Sequence, residues 1–266
     1  MLLLGKLTAL AHLVQAVLVF WLRQTNSNLV AGSGRLPVYT PVKRYSVIGN
    51  STVTFFELRT AFTADIPLSI ALFFVLSATF QAFGVFGFGD DALSRLRLRY
   101  AEYSVSAGLM LMDIALEVGI QDTYTLFLMF FFMFSCNMMG MLADFLYAYS
   151  EDAPWFALVH AVGWVDLVVP YTMVLVQFFH TVSENGSAPP GFVYAIVICM
   201  ALLFAVFGLV QIYDLATRPV YEADKDFEPH VEYVGQLYDV LSLTAKSLLA
   251  WLVMGPLLSQ VPMVSH

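Results

Sequence analysis

Charge is what this chain lacks. Of its 266 residues only 12% are Asp, Glu, Lys or Arg, whereas 59% are hydrophobic and the mean hydropathy is +0.76. A soluble domain carries about twice that charged fraction, so the composition describes a membrane protein. Basic residues are scarcer still: 12 Lys and Arg face 20 Asp and Glu, for a net charge of −8. That balance argues against a nucleic-acid partner. There are two cysteines, Cys136 and Cys199, both inside apolar segments. They read as buried thiols and carry no information on redox compartment. No Walker loop, HExxH, nucleophile elbow or Cys-rich metal spacing is present, so an enzyme is not expected. Internal repeats and a disordered tail are absent as well.

Long apolar runs are what the chain has. They fall at roughly 5–23, 66–88, 92–120, 123–149, 154–182, 191–216 and 230–257, and about 20 apolar residues span the hydrocarbon core. The first run, Leu7 to Leu22, is not followed by an A-x-A-like cleavage site; it reads as a retained helix and not a signal peptide. The Asp90-Asp91 pair is placed to cap the third segment. Most connections are short, but residues 24–65 form an insertion. It contains Leu36-Pro-Val-Tyr-Thr40 and Ser51-Thr-Val-Thr-Phe-Phe56 on either side of Gly49-Asn50. Alternating β-branched and aromatic residues around a Gly/Asn turn predict a hairpin. The expected fold is an all-α membrane protein, one domain over 1–266, with seven transmembrane helices and a β-hairpin in the long first extracellular loop.

Orientation follows from Lys and Arg near the span ends. The side holding the N-terminus and the loops after the second, fourth and sixth segments carries Lys6, Arg95, Arg97, Arg99, Arg218 and Lys225. The basic residues of the other side (Arg23, Arg35, Lys43, Arg44 and Arg59) border or lie in the long loop. The bias places the N-terminus in the cytoplasm and the C-terminus outside. Two glycosylation-type sequons, at Asn50 and Asn185, fall on the side so assigned to the exterior.

The costly residues are the informative ones. Lys246 lies in the middle of the last apolar segment with no acid within one helical turn. An ammonium at membrane depth costs a few kcal/mol or more. Either a carboxylate on another helix pairs with it, or an aldehyde cofactor consumes it as a Schiff base. A lysine in the last of seven spans points to retinal. Ser242 lies one turn before it, where ion-pumping rhodopsins carry an aspartate. Glu102 is about 17 Å along the third segment at 1.5 Å per residue, at a depth where it meets Lys246. Asp113 returns to the face of Glu102 eleven residues later, and Asp239 shares the face of Lys246 seven residues earlier. Aligned intramembrane carboxylates mark candidate proton routes. Asp166 is also intramembrane, whereas Glu117, Asp144 and Asp214 lie near helix ends and read as interfacial. Tyr103, Met110, Trp164 and Phe207 are candidate pocket walls, with Tyr171, Phe178, Phe204, Met138 and Met139 as further possibilities.

Three segments carry a more specific signal: Tyr100-Ala-Glu102-Tyr-Ser104, Ser242-Leu-Thr-Ala-Lys246-Ser-Leu-Leu-Ala-Trp251 and Ala11-His12-Leu-Val-Gln15. With the inverted topology and the strand-like first outer loop, they resemble heliorhodopsins over nearly the whole chain. The resemblance implies all-trans retinal held as a protonated Schiff base on Lys246, with Glu102 as counterion and Ser242 beside it. It also implies His12 and Gln15 in a polar cavity on the inner side of the chromophore, a homodimer in membrane lipid, and a long-lived signalling state without ion pumping. One departure stands out. The family usually offers a second cavity histidine where Gln81 stands here, and glutamine cannot take up a proton.

Two functions follow from this reading. One is a light sensor relaying a conformational change to a signalling partner that the sequence does not identify. The other is passive conduction of protons in the light, with Gln81, Asp113 and Asp239 near the path. The rival of a different class is a seven-helix transporter or receptor without chromophore.

Overall fold

The computed structural model describes residues 2–48, 51–87, 92–149, 155–184, 189–219 and 226–259. The Gly49-Asn50 turn, the Asp90-Asp91 cap, Lys225 and the sequon residues Asn50 and Asn185 lie outside these ranges. Among the described residues there are eight helices: α1 (Leu2–Thr25), α2 (Ser27–Val30), α3 (Ile66–Gly87), α4 (Ala92–Glu117), α5 (Thr123–Tyr149), α6 (Trp155–Glu184), α7 (Gly191–Thr217) and α8 (Phe227–Ser259). The seven long ones follow one another up and down, and α8 closes the bundle against α1 and α4. Leu10, Val17, Phe131, Val168, Leu202 and Leu209 point outward and are exposed. Charged groups point inward, the arrangement that lipid favours.

Among the described residues, six helices are long and apolar enough to cross a membrane; α4 is the long helix that falls short. Its first half carries Arg95, Arg97, Arg99 and Glu102. The chain affords this because each charge meets a partner on a neighbouring helix. Arg95 and Arg99 are one turn apart and so share a face, which they present to Glu232 and Asp239 on α8 at 3.2 and 3.0 Å. Arg97, rotated by about 200° from either, reaches Asp144 on α5 at 3.1 Å. These arginines, counted above as end-of-span charges, are helix residues held in ion pairs. The helix ends at Glu117, three residues before the expected boundary. Gly119 follows at φ +95°, and Ile120 N–H donates to Ala115 O at 2.8 Å. This is the glycine-dependent end in which carbonyls of the last turn find donors.

The hairpin is longer than the sequence pattern suggested. β1 (Arg35–Ile48) and β2 (Ser51–Asp65) pair antiparallel, with a bulge at Val38/Tyr39. Its base is anchored. Val38 is buried, and Tyr39 N–H donates to Gln121 O at 2.8 Å. Asp65 accepts from Leu68 N–H at 3.0 Å, as an N-cap does, and pairs with Arg23 at 2.7 Å. Farther along, Tyr45, Phe56 and Leu58 are exposed. The short α2 had no apolar period to announce it. Asn26 caps it, and Asn28 Nδ2 donates to Leu258 O at 3.0 Å, tying it to the end of α8.

Candidate functional site

Lys246 and Glu102 meet. Lys246 Nζ donates to Glu102 Oε1 at 2.7 Å and to Ser242 Oγ at 2.8 Å. Lys246 is 2% exposed and Glu102 1%. Ser242 is positioned by helical period alone, one turn before Lys246. Glu102 is brought by the packing of α4 on α8. The sequence reading missed Ser77 on α3, whose hydroxyl lies 2.5 Å from the same Glu102 oxygen. A serine in an apolar helix more often bonds back to its own backbone; Ser77 also lies 2.9 Å from Phe73 O.

On one side of this pair is a pocket that encloses about 790 Å³ of space, open solvent at its mouth included. Tyr103, Met110, Trp164 and Phe207 all line it, together with Phe204 and Lys246. Tyr171, Phe178, Met138 and Met139 do not. The ring of Tyr103 is 4.9 Å from Lys246 Nζ. Trp164 is fixed by its Nε1–H, which donates to His160 Nε2 at 3.0 Å.

On the other side, toward the N-terminal end of the bundle, is a smaller cavity of about 300 Å³ lined by Gly5, Gln81, Arg99, Glu102 and Asp239 among others. Gln81 buries both its amide atoms there without a protein partner. His12 and Gln15, expected in this cavity, do not line it. His12 is fully buried beside Phe74, with neither ring nitrogen hydrogen-bonded. Gln15 lies nearer the hairpin and accepts from Trp251 Nε1–H at 3.1 Å, fastening α1 to α8. Asp239, expected as an open acceptor, is held by Arg99 through three contacts of 3.0–3.1 Å. Arg99 was missed because its partner lies 140 residues away.

Asp113 is buried toward the hairpin end, 11 residues beyond Glu102. Its Oδ2 has no hydrogen-bond partner. Asp166 also buries an oxygen without a partner. Asp144 and Asp214 are not interfacial. Both are fully buried at the N-terminal end of the bundle. Arg218 lies 2.5 Å from Asp144 and pairs more closely with Asp214, and His230 Nε2 is 3.0 Å from Asp214 Oδ1. An aspartate near a helix end looks exposed in sequence; here the ends of α5 and α7 face each other, and an arginine fills the space between.

The comparisons bear on the fold and the family. The chain is similar in fold to cyanorhodopsin from the cyanobacterium Tolypothrix sp. NIES-4075, with a TM-score of 0.62, 11% identity, and coverage of 98% of this chain and 92% of that one. It is also similar to a light-driven proton pump from Leptosphaeria maculans, with a TM-score of 0.52, 13% identity, and coverage of 96% and 92%. No curated protein matches it. The heliorhodopsin family model matches residues 4–258. The chain is therefore an integral membrane protein of the rhodopsin fold, and it belongs to the heliorhodopsin family.

Proposed function

We propose that this protein is a light-absorbing photoreceptor in which Lys246 carries all-trans retinal and Glu102 is the counterion. The observation that carries the reading is the Lys246–Glu102–Ser242 contact at the wall of a largely apolar pocket. A polyene aldehyde needs a buried amine, an anion beside it and an apolar slot, and these residues fit it. When bound, retinal supplies an imine that carries a proton and a light-driven isomerisation. Glu102 neutralises the charge at Lys246, and Ser77 and Ser242 orient the carboxylate and the nitrogen. Met110, Trp164 and Phe207 wall the slot and exclude water. Ser242 stands where pumps carry a second acid, which favours sensing over pumping.

The test is reconstitution. Apoprotein given all-trans retinal should gain visible absorption that hydroxylamine bleaches, and Lys246→Ala should fold and stay colourless. No absorption in the wild type, or colour in Lys246→Ala, overturns the reading. The family also supports a homodimer with a cytoplasmic N-terminus, which cross-linking and face-specific cysteine labelling would test.

A second reading, light-gated passive proton conduction, draws on Asp113. This buried carboxyl with an unpartnered oxygen lies about 16 Å from Glu102 at 1.5 Å per residue. Asp239 joins such a path only if light parts it from Arg99. Photocurrents reversing near the proton equilibrium potential, and reduced by Asp113→Asn, are expected from a conductor. No current from pigmented protein leaves the sensor alone.

A further inference from the structure

We propose that Gln81 is a positioning residue for the counterion: through water held in the inner cavity, its amide supplies Glu102 Oε2 with the donor that no protein group gives it. The proposal rests on the retinal reading above and assigns the inner cavity a part in it.

Glu102 is bonded on one oxygen only. Lys246 Nζ at 2.7 Å and Ser77 Oγ at 2.5 Å both fall on Oε1. Oε2 is buried and has no protein partner. Burying an ionised oxygen without a donor is costly, and nearly all buried polar atoms in folded proteins are bonded to protein or to ordered water. Glu102 lines the inner cavity and not the chromophore pocket. With Oε1 turned to Lys246, Oε2 is left to the cavity.

Gln81 is the second unsatisfied group on the same wall. It is 6% exposed, and neither Nε2 nor Oε1 has a protein partner. Helical register brings it to Glu102. Gln81 follows Ser77 by four residues on α3, so the two share a face with Cβ atoms about 5–6 Å apart, and Ser77 already touches Glu102. The cationic donors of the cavity are engaged elsewhere, Arg99 on Asp239 and Arg95 on Glu232. A carboxylate oxygen that needs a donor and an amide with two N–H donors to give therefore border one space.

That space takes water. It encloses about 300 Å³, open solvent included, and a water's share of liquid volume is about 30 Å³. Gly5 helps to leave the room: a Cβ there would lie 3.1 Å from Val85 Cγ2 and 3.7 Å from Asp239 Oδ2. A water that accepts from Gln81 Nε2–H and donates to Glu102 Oε2 satisfies both groups, with Arg99 and Asp239 on the same wall to complete its polar surroundings.

An amide suits the role because it does not titrate and offers the same donor at every pH. The charged and titratable groups around Glu102 are Lys246 and Asp239 on α8, Arg95, Arg99 and Tyr103 on its own helix, and His12 on α1, which packs on Phe74 of α3 one turn before Ser77. α3 carries no charged residue, so its contribution is the Ser77 hydroxyl and the Gln81 amide. A donor on Oε2 favours the ionised carboxylate, and its removal favours protonation.

The experiment uses the retinal-loaded protein as wild type, Gln81→Met and Gln81→Asn. Methionine keeps the length of glutamine and donates nothing; asparagine keeps the amide, and a bridging water takes up the missing methylene. Acid titration of the dark pigment follows the red shift that comes when the counterion takes up a proton. Gln81→Met should move its midpoint up by at least about one pH unit, tenfold in proton concentration, and Gln81→Asn by less than about half a unit. Light-minus-dark infrared spectra in deuterated water, with and without heavy oxygen, should show a strongly bonded water in the wild type that Gln81→Met loses. A Gln81→Met pigment with the wild-type midpoint or an unaltered water band, Gln81→Asn behaving like Gln81→Met, or a wild type without the water band overturns the proposal; the last needs no variant. A wild type that forms no pigment overturns the retinal reading and this one with it; pigment with an unmoved Gln81→Met midpoint overturns this one only.

Discussion

Gly208 tests whether the apolar pocket is the seat of the chromophore. A Cβ on this residue would lie 2.7 Å from Cζ2 of Trp164 and 3.1 Å from Cε2. Carbon atoms rest about 3.5–4.0 Å apart, so Gly208→Ala forces the indole back by roughly 1 Å. The ring is not free to retreat, because its N–H is bonded to His160 at 3.0 Å. It must break that bond or swing into the pocket that it lines. Overpacking of this kind costs about 1–3 kcal/mol, equivalent to about 5- to 150-fold in occupancy at about 1.4 kcal/mol per tenfold. The assay is titration of apoprotein with all-trans retinal, reading the concentration that gives half-maximal pigment. Gly208→Ala should raise it by that factor, and Gly208→Ala with Trp164→Phe should recover most of the loss. Gly191→Ala is the control, since nothing lies within 4 Å of its Cβ. If Gly208→Ala matches the wild type in both half-saturation and absorption maximum, the pocket does not hold the chromophore as argued.

Other expectations follow from the same geometry. Glu102→Gln removes the anion 2.7 Å from Lys246 Nζ and should abolish visible absorption at neutral pH or shift it far to the red in acid; spectra over pH 4–9 that match the wild type would assign the counterion elsewhere. Arg99→Gln strands Asp239, and loss of one partner of a largely buried pair costs about 3–5 kcal/mol. Unfolding in detergent should show that loss, with most of it restored by Arg99→Gln plus Asp239→Asn. At the hairpin base, burial pushes the Asp65 carboxyl up, but the Arg23 bonds, the Leu68 amide and Arg35 outweigh it and hold it below its ordinary 3.8. The stability this contributes is therefore complete above about pH 4 and lost as acid protonates the folded carboxylate. Amide protection at the start of α3, taken relative to the intrinsic exchange rate at each pH, should fall in acid in the wild type and lose that dependence in Asp65→Asn.

Much of the architecture was legible because its signals are local. The apolar runs located the long helices to within a few residues, and alternation with β-branched residues announced the hairpin. Its length was underread because Pro41, Lys43 and Arg44 interrupt the pattern after Thr40, and a two-stranded ribbon with open edges tolerates them. Within the site, Ser242 follows from Lys246 by one helical turn. Glu102 and Lys246 were paired by depth, a calculation that needs only the rise per residue. Depth says nothing about azimuth, and neither does a family resemblance: Gln15, which the resemblance placed in the cavity, is instead bonded to Trp251.

The sequence by itself determined that the chain lives in a membrane, that its long helices alternate in direction, and that a lysine and a glutamate reach similar depth inside it, where they can meet. Those conclusions depend on composition, period and the cost of burying charge, all readable along one dimension. Tertiary structure alone decided which partner each charge took. Arg99 chose Asp239, Arg97 chose Asp144, and Arg218 drew Asp144 and Asp214 out of lipid reach into a buried cluster beside His230. Those choices depend on how each helix is rotated about its axis, and rotation is set by packing against neighbours distant in the chain.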